Sequence, residues 1–352
     1  MRFKIRKNYL AILVVILSLI SLILLSITFL RNTPTQDQSV VVSTSKNVTQ
    51  KGAIGNTAEY NAIKKIAADN GVETAWEYVI DTYGKDNSRQ LEAHDYAHYI
   101  GQLIFKEKGL AGITICTTDF AFGCYHGLLD QAFRKDLSPL QQAEKACEQV
   151  GKIGSGPYAS CIHGIGHGVA SYFKDKDLNG ALKTCDKLPQ NSPQFCYDGV
   201  FMEFSRDALD DFYKPNDLLY PCNSVEAKYT FACGRNQPTV LMNRLSKSYG
   251  DVAKACQKAT IRDLKASCYT ALGFQAVYSS NNDSEKIIST CESMNDPEFE
   301  YQCKSAAAGE LIFQNMKNWQ TDAPLICNSL KNENAKNCNS YITNIQKNYN
   351  RI

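Results

Sequence analysis

Residues 185–203 read CDKLPQNSPQFCYDGVFME, with two cysteines eleven residues apart. One cysteine precedes a polar connection that contains two prolines, and a second cysteine opens a mainly apolar run. A disulfide between Cys185 and Cys196 would join the end of a short helix to the start of a longer one, and so close a helical hairpin at its turn. Such short helices are marginal alone, and cross-linking a loop of this length removes about 3 kcal/mol of unfolded-state entropy in the chain-entropy model.

The same spacing recurs along the chain. The fourteen cysteines form seven pairs with partners 8 to 14 residues apart, and the first cysteines of successive pairs lie 31 to 38 residues apart. A period near 35 residues is typical of helix-turn-helix repeats. An even number of closely partnered cysteines favours disulfides, which persist outside the cytoplasm. The predicted disulfides are Cys116–Cys124, Cys147–Cys161, Cys185–Cys196, Cys222–Cys233, Cys256–Cys268, Cys291–Cys303 and Cys327–Cys338.

A hairpin without cysteines is predicted ahead of these seven, with helices near residues 74–80 and 89–108. Residues 57–352 are therefore predicted to form one all-α domain, an α-solenoid of about eight helical-hairpin repeats, seven of them with an internal disulfide. In period and plan this domain resembles the tetratricopeptide and Sel1-like repeat proteins, and secreted Sel1-like proteins also staple their hairpins. The glycine and alanine consensus of Sel1 repeats is not recognisable, so the resemblance implies architecture alone.

The N-terminus predicts a membrane anchor. A basic cytoplasmic segment, residues 1–8, precedes an uncharged apolar stretch at residues 9–30 that is long enough to span a bilayer as a helix. The basic flank predicts that the N-terminus lies in the cytoplasm and the C-terminal domain outside it, in a periplasmic or extracellular location. Residues 31–56 are polar without helical periodicity and are predicted to be a flexible linker. A long cleaved signal peptide would give the same compartment without the tether.

The five histidines share a register that the cysteines define. Counted from the second cysteine of a pair, His126 and His163 occupy the second position, and Asp130 and His167 the sixth. The first two histidines of the chain have the same four-residue spacing in the hairpin without cysteines. Side chains four residues apart share one helix face, where two imidazoles can bind one metal ion. The predicted metal ligands are His94, His98, His126, His163, His167 and Asp130.

Equivalent positions on neighbouring helices form a row, so the first three histidines, with or without Asp130, are predicted to share one ion. His163 and His167 either complete that site or form a second one with Asp130 or Asp198. These ligands suit zinc, iron, manganese or copper. If the ion is catalytic, an open coordination position would activate water or O₂, and Asp130 or Glu203 is the candidate acid or base. The sequence does not decide whether the protein is an enzyme.

Two other functions are compatible with the sequence. One is a non-enzymatic scaffold of the cell envelope, because helical arrays present a concave face to proteins or peptides. The other is non-covalent haem binding by facing histidines. A scaffold predicts polar and aromatic residues along the whole groove, whereas the histidines cluster in the first half of the array, which favours the metal-binding hypothesis. The net charge of +2 indicates no nucleic-acid partner.

Overall fold

A computed structural model describes residues 55–84, 89–174, 176–189, 192–207 and 214–348, all within the unit Gly52–Ile352. The predicted basic segment, the predicted anchor and all but the last two residues of the predicted linker lie outside the described residues. Among the residues that are described, no helix is both long enough and apolar enough to cross a membrane.

The described part of the chain is all-α, with fifteen α-helices and no β-strand. A 3₁₀ segment at Gly109–Ile115, another at Ala227–Tyr229 and a π-helical turn at Val240–Arg244 supplement these helices. The α-helices are α1 Thr57–Asn70, α2 Val72–Tyr83, α3 Gln90–Lys108, α4 Gly123–Phe133, α5 Leu140–Val150, α6 Gly156–Tyr172, α7 Leu178–Cys185, α8 Pro193–Asp207, α9 Thr230–Thr239, α10 Tyr249–Gln257, α11 Arg262–Ser279, α12 Ser284–Glu292, α13 Pro297–Phe313, α14 Trp319–Asn328 and α15 Asn332–Asn348.

Polar side chains cap the starts of several helices. The Asn56 side chain accepts a hydrogen bond from the amide of Ala58 at the start of α1. The Asp296 carboxylate accepts from the amides of Glu298 and Phe299 at the start of α13. Each cap satisfies backbone N–H groups that have no partner within the helix. The sequence therefore marks these boundaries locally, before any tertiary contact is made.

All seven predicted cysteine pairs are disulfide-bonded, with Cα–Cα distances of 5.3 to 5.8 Å, and no cysteine is free. The second cysteine of every pair lies within the first two turns of the second helix of its hairpin. The first lies near the end of a short helix in five pairs, those of α5, α7, α10, α12 and α14. Seven disulfides indicate an oxidising, extracytoplasmic compartment.

The short helix that the spacing predicts before Cys222 is not formed. Residues 214–226 make turns instead. Pro215 and Pro221 have no backbone N–H to donate to a helix. The carboxylate of Asp217 accepts the amide of Leu219 at 3.1 Å, and this local hydrogen bond competes with helical backbone bonding.

The second helix of each hairpin packs against the second helix of the next. Glycines permit the closest of these approaches: a Cβ on Gly127 would lie 1.8 Å from the carbonyl oxygen of His98, and one on Gly199 would lie 2.1 Å from that of His163. The glycines beside the histidines therefore accommodate a neighbouring helix. In chain order these helices, here called the stacked helices, are α3, α4, α6, α8, α9, α11, α13 and α15.

The series of stacked helices curves back on itself. The ring of Phe122, at the start of α4, contacts that of Phe313, at the end of α13, with centroids 5.2 Å apart. Phe122 also lies beside His126, with centroids 6.5 Å apart. The end of α13 therefore lies beside the start of α4, the helix that carries His126.

Candidate metal centre

Five imidazoles form one cluster on three consecutive stacked helices. His126 on α4 lies at its centre, between a pair of histidines on α3 and a pair on α6. Its ring centroid is 5.2 to 5.6 Å from those of the α3 pair and 4.3 to 5.3 Å from those of the α6 pair. The α3 pair is His94 and His98, and the α6 pair is His163 and His167.

The α3 pair is oriented by a backbone carbonyl. The Nε2 atoms of His94 and His98 lie 3.1 Å apart. His94 Nδ1 lies 2.7 Å from the carbonyl oxygen of Phe120, and because that oxygen can only accept, Nδ1 carries the proton. Neutral His94 therefore presents the lone pair of Nε2 to the interior of the cluster.

The Phe120 carbonyl belongs to a strained turn. Phe120, Ala121 and Phe122 all have left-handed backbones, with φ of 51°, 48° and 65°. Left-handed conformation costs about 1–2 kcal/mol for a residue with a side chain. Such strain persists where the surrounding structure imposes it, which is frequent at functional sites, and here the turn delivers a hydrogen-bond acceptor to a histidine.

The α6 pair is oriented by two carboxylates of α8. His167 Nδ1 donates to Glu203 Oε2 at 2.7 Å, and His163 Nδ1 lies 3.2 Å from Asp198 Oδ2. The Nε2 atoms of the two rings lie 3.1 Å apart. With both Nδ1 protons directed at carboxylates, neutral rings place two lone pairs face to face. This arrangement is repulsive unless a cation, either a metal ion or a proton, lies between the two Nε2 atoms.

The two carboxylates differ in their surroundings. Asp198 lies 3.7 Å from Arg235 and accepts from the Asn236 amide at 3.2 Å. Burial raises the pKa of Asp198, but the Arg235 charge and hydrogen bonds from His163 and Asn236 outweigh it and hold that pKa at about 2. Glu203 is 4% exposed and faces His167. Carboxylates behind histidines fix the tautomer and increase the basicity of the metal-facing nitrogen.

His126 is the least satisfied polar side chain of the cluster. It is 2% exposed, and both of its ring nitrogens are buried without a hydrogen-bond partner. A buried polar group without a partner costs about 1–3 kcal/mol. Burial, followed by the charges of the four neighbouring histidines, lowers the pKa of His126 well below its ordinary value. The ring is therefore neutral, which is the form that binds metal ions.

The nitrogens form two groups of three. His94, His98 and His126 make one group, and His126 with the α6 pair makes the other; within each, the ligand atoms lie within 4.8 Å of one another. Nitrogens bound to one tetrahedral ion at 2.0–2.1 Å lie about 3.3 Å apart, so the 3.1 Å pairs already have ligand spacing. Bringing in the third nitrogen requires a shift of at most about 1.5 Å to reach that spacing, which ring rotation can supply. Each group can therefore hold a metal ion.

No protein-family model, curated protein or solved structure matches this chain. The donor set of the site is five imidazoles, with two carboxylates and a backbone carbonyl behind them. Thiolates do not contribute, because every cysteine is in a disulfide. Imidazole ligands suit zinc, copper, iron and nickel, whereas manganese prefers oxygen ligands.

The two candidate acids, Asp130 and Glu203, have different positions relative to the histidine cluster. Asp130 lies one helical turn beyond His126 on α4 but belongs to neither group of three, so its role in metal binding or catalysis stays a prediction. Glu203, the other candidate acid or base, is the hydrogen-bond partner of His167. Sequence reasoning missed the Phe120 carbonyl, because a backbone atom leaves no residue signature. Arg235 had a signal, since it occupies the second position after its cysteine, as Asp198 does.

Proposed function

We propose that this protein is an extracytoplasmic metal-binding protein whose histidine cluster holds a first-row transition metal ion. The observation that carries the proposal is the α6 pair. Its two Nε2 atoms lie 3.1 Å apart while both Nδ1 atoms face carboxylates. A metal ion between the Nε2 atoms converts this repulsive contact into coordination, and His126 supplies a third nitrogen. The all-nitrogen donor set favours zinc or copper over manganese.

An ion held by three imidazoles keeps a coordination position open. Three protein ligands and one exchangeable water are typical of catalytic zinc sites, whereas structural sites have four protein ligands. A metal-dependent enzyme that activates water or O₂ is therefore the second candidate function. Azide added to the Co²⁺-substituted protein tests the open position: binding changes the visible absorption of the cobalt, and an unchanged spectrum at saturating azide would contradict it.

The packing of the rings disfavours haem. Neighbouring ring centroids within the cluster are 4.3 to 5.6 Å apart, and this spacing leaves no gap for a porphyrin between His126 and either pair. A scaffold that binds a protein or peptide on its concave face is compatible with the curved series of stacked helices. That function gives no reason for two unpartnered nitrogens on one buried imidazole, and metal binding does.

The proposal includes the predicted architecture and location. Consecutive packing of the stacked helices supports an α-solenoid of tetratricopeptide or Sel1-like plan. The apolar sequence of residues 9–30, behind a basic segment, supports a single-pass anchor. Metal binding would then take place at the outer surface of the membrane.

Metal binding by the full chain tests the proposal. The chain has five histidines in all, and every one lies in the cluster, so protein purified without a histidine tag has no background from other imidazoles. Metal content after purification, and Zn²⁺ titration against a chromogenic chelator, would be compared for the wild type, His98→Ala, His167→Ala and the double variant. Asn339→Ala, on α15, is the control.

We expect wild type and control to bind Zn²⁺ with equal affinity and the double variant to bind none. Circular dichroism would verify that each variant retains its helices. A wild type that competes with the chelator no better than the double variant would overturn the proposal.

A further inference from the structure

We infer that the site is dinuclear and that the imidazole of His126 bridges two metal ions, one held by the α3 pair and one by the α6 pair. This inference rests on the proposed metal-binding function and specifies how many ions the cluster holds. The two groups of three nitrogens share His126 and no other residue. An ion on either side therefore needs its third nitrogen from the same ring.

The hydrogen bonding of the other rings shows what His126 lacks. A histidine that binds metal through one nitrogen nearly always donates its other N–H to a carboxylate, carbonyl or water. His94 has the Phe120 carbonyl in that role, and His167 has the Glu203 carboxylate. His126 has no acceptor for either nitrogen. As a terminal ligand it would keep an unpaired N–H inside the protein, whereas as a bridge it uses both nitrogens.

The proton and charge balance is simple. Neutral His126 carries one N–H and one lone pair. The first ion binds the lone pair; the second replaces the N–H proton, which is released to solvent, and leaves the ring as an imidazolate with one negative charge. That charge and the carboxylates of Asp198 and Glu203 supply three negative charges against the four positive charges of two divalent ions, and Arg235, 3.7 Å from Asp198, offsets one of the three.

The geometry of one imidazole sets the separation of the ions. Each metal–nitrogen bond is about 2 Å, so ions on the two nitrogens of one ring lie about 6 Å apart. The packing order agrees with this arrangement, because α4 packs against α3 on one side and α6 on the other. Unpaired electrons on two Cu²⁺ ions joined in this way interact through the ring, which provides a spectroscopic signature.

Copper titration of the full chain tests the inference. Metal-free protein would receive Cu²⁺ in the presence of a competing chelator, with copper per chain measured by elemental analysis and unpaired spins by EPR. We expect two copper ions per chain, an EPR intensity at low temperature well below the copper content, and a half-field line from the coupled pair. His98→Ala, which keeps the α6 group intact, should bind one copper with full EPR intensity.

The outcomes separate the inference from the function on which it rests. Two copper ions with full, uncoupled EPR intensity would overturn the bridge. One copper ion per wild-type chain would overturn the dinuclear site and leave metal binding intact. No copper above the level of the His98→Ala/His167→Ala double variant would overturn both. The first two results are read from the wild-type protein alone, so they decide on the bridge and on the number of ions even if a variant fails to fold.

Discussion

Replacement of Glu203 by glutamine tests how much the negative charge behind His167 contributes to metal affinity. Glu203 is 4% exposed, and its carboxylate accepts the Nδ1 proton of His167 at 2.7 Å. The Gln side chain has the same size, and its amide oxygen can accept the same proton. Glu203→Gln therefore removes one negative charge and leaves the orientation of His167 in place.

The size of the effect follows from two estimates. An ion on Nε2 of His167 would lie roughly 6.5 Å from the carboxylate, so a divalent charge at an effective dielectric constant of about 20 gives an upper bound near 5 kcal/mol. Loss of a partner behind a metal-binding histidine usually costs about 10- to 100-fold in affinity, or about 1.4 to 2.7 kcal/mol. We expect the 10- to 100-fold loss of affinity and not the upper bound, because Asp198 keeps its charge beside His163.

The assay is Zn²⁺ affinity by chelator competition, with Glu144→Gln as the matched control. Glu144 is 3% exposed and accepts a hydrogen bond from the Tyr158 hydroxyl at 2.9 Å, so the same chemical change occurs at a buried glutamate that bonds no histidine. Glu203→Gln should weaken Zn²⁺ binding 10- to 100-fold, and Glu144→Gln should not. An affinity within twofold of wild type for Glu203→Gln, or an equal loss in both variants, would show that the charge of Glu203 does not strengthen metal binding.

Three further predictions concern packing, pH and the disulfides. Gly127→Ala places a Cβ 1.8 Å from a carbonyl oxygen of α3, so it should lower Tm and weaken Zn²⁺ binding at least tenfold. In the control Gly273→Ala, the Cβ would lie 2.4 Å from a carbonyl oxygen of α13, and only Tm should fall. Equal Zn²⁺ affinities of the two variants would contradict this prediction. Burial raises the pKa of Asp186, but hydrogen bonds from Lys228 and two tyrosines lower it below its ordinary value. The stability that Asp186 contributes is therefore present above about pH 4 and lost as the pH falls below it, so Asp186→Asn should lower Tm at pH 7 and reduce the drop in Tm on acidification; parallel Tm–pH curves would argue against it. Replacing both cysteines of the Cys147–Cys161 pair by serine should lower the free energy of unfolding in urea by about 3 kcal/mol, and a loss below about 1 kcal/mol would contradict the staple.

The cysteine pattern predicted the hairpins because its information is local. A disulfide over 8 to 14 residues must lie at a turn, whatever the rest of the chain does. The pairs also aligned the helices, and that alignment put His126 and His163 in one row. In the structure their ring centroids are 5.3 Å apart. The spacing of the cysteines therefore predicted which histidines lie side by side.

Other features depend on tertiary structure and leave no local pattern. The contact between Phe122 and Phe313 joins helices that are far apart in the sequence, and no local pattern encodes it. The turns before Cys222 result from local hydrogen bonds that the repeat period does not encode. Glu203 was recognisable as an acid near the site, but only side-chain geometry shows that it faces Nδ1 of His167.

Metal binding by the histidine cluster is tested directly by anomalous X-ray diffraction at the zinc edge from crystals of the full chain grown with Zn²⁺. We expect anomalous density about 2.0 to 2.1 Å from Nε2 of His163 and His167, with a nitrogen of His126 as the third ligand. Density confined to places outside the five imidazoles, with the two Nε2 atoms of the α6 pair still 3.1 Å apart and nothing bound between them, would contradict it.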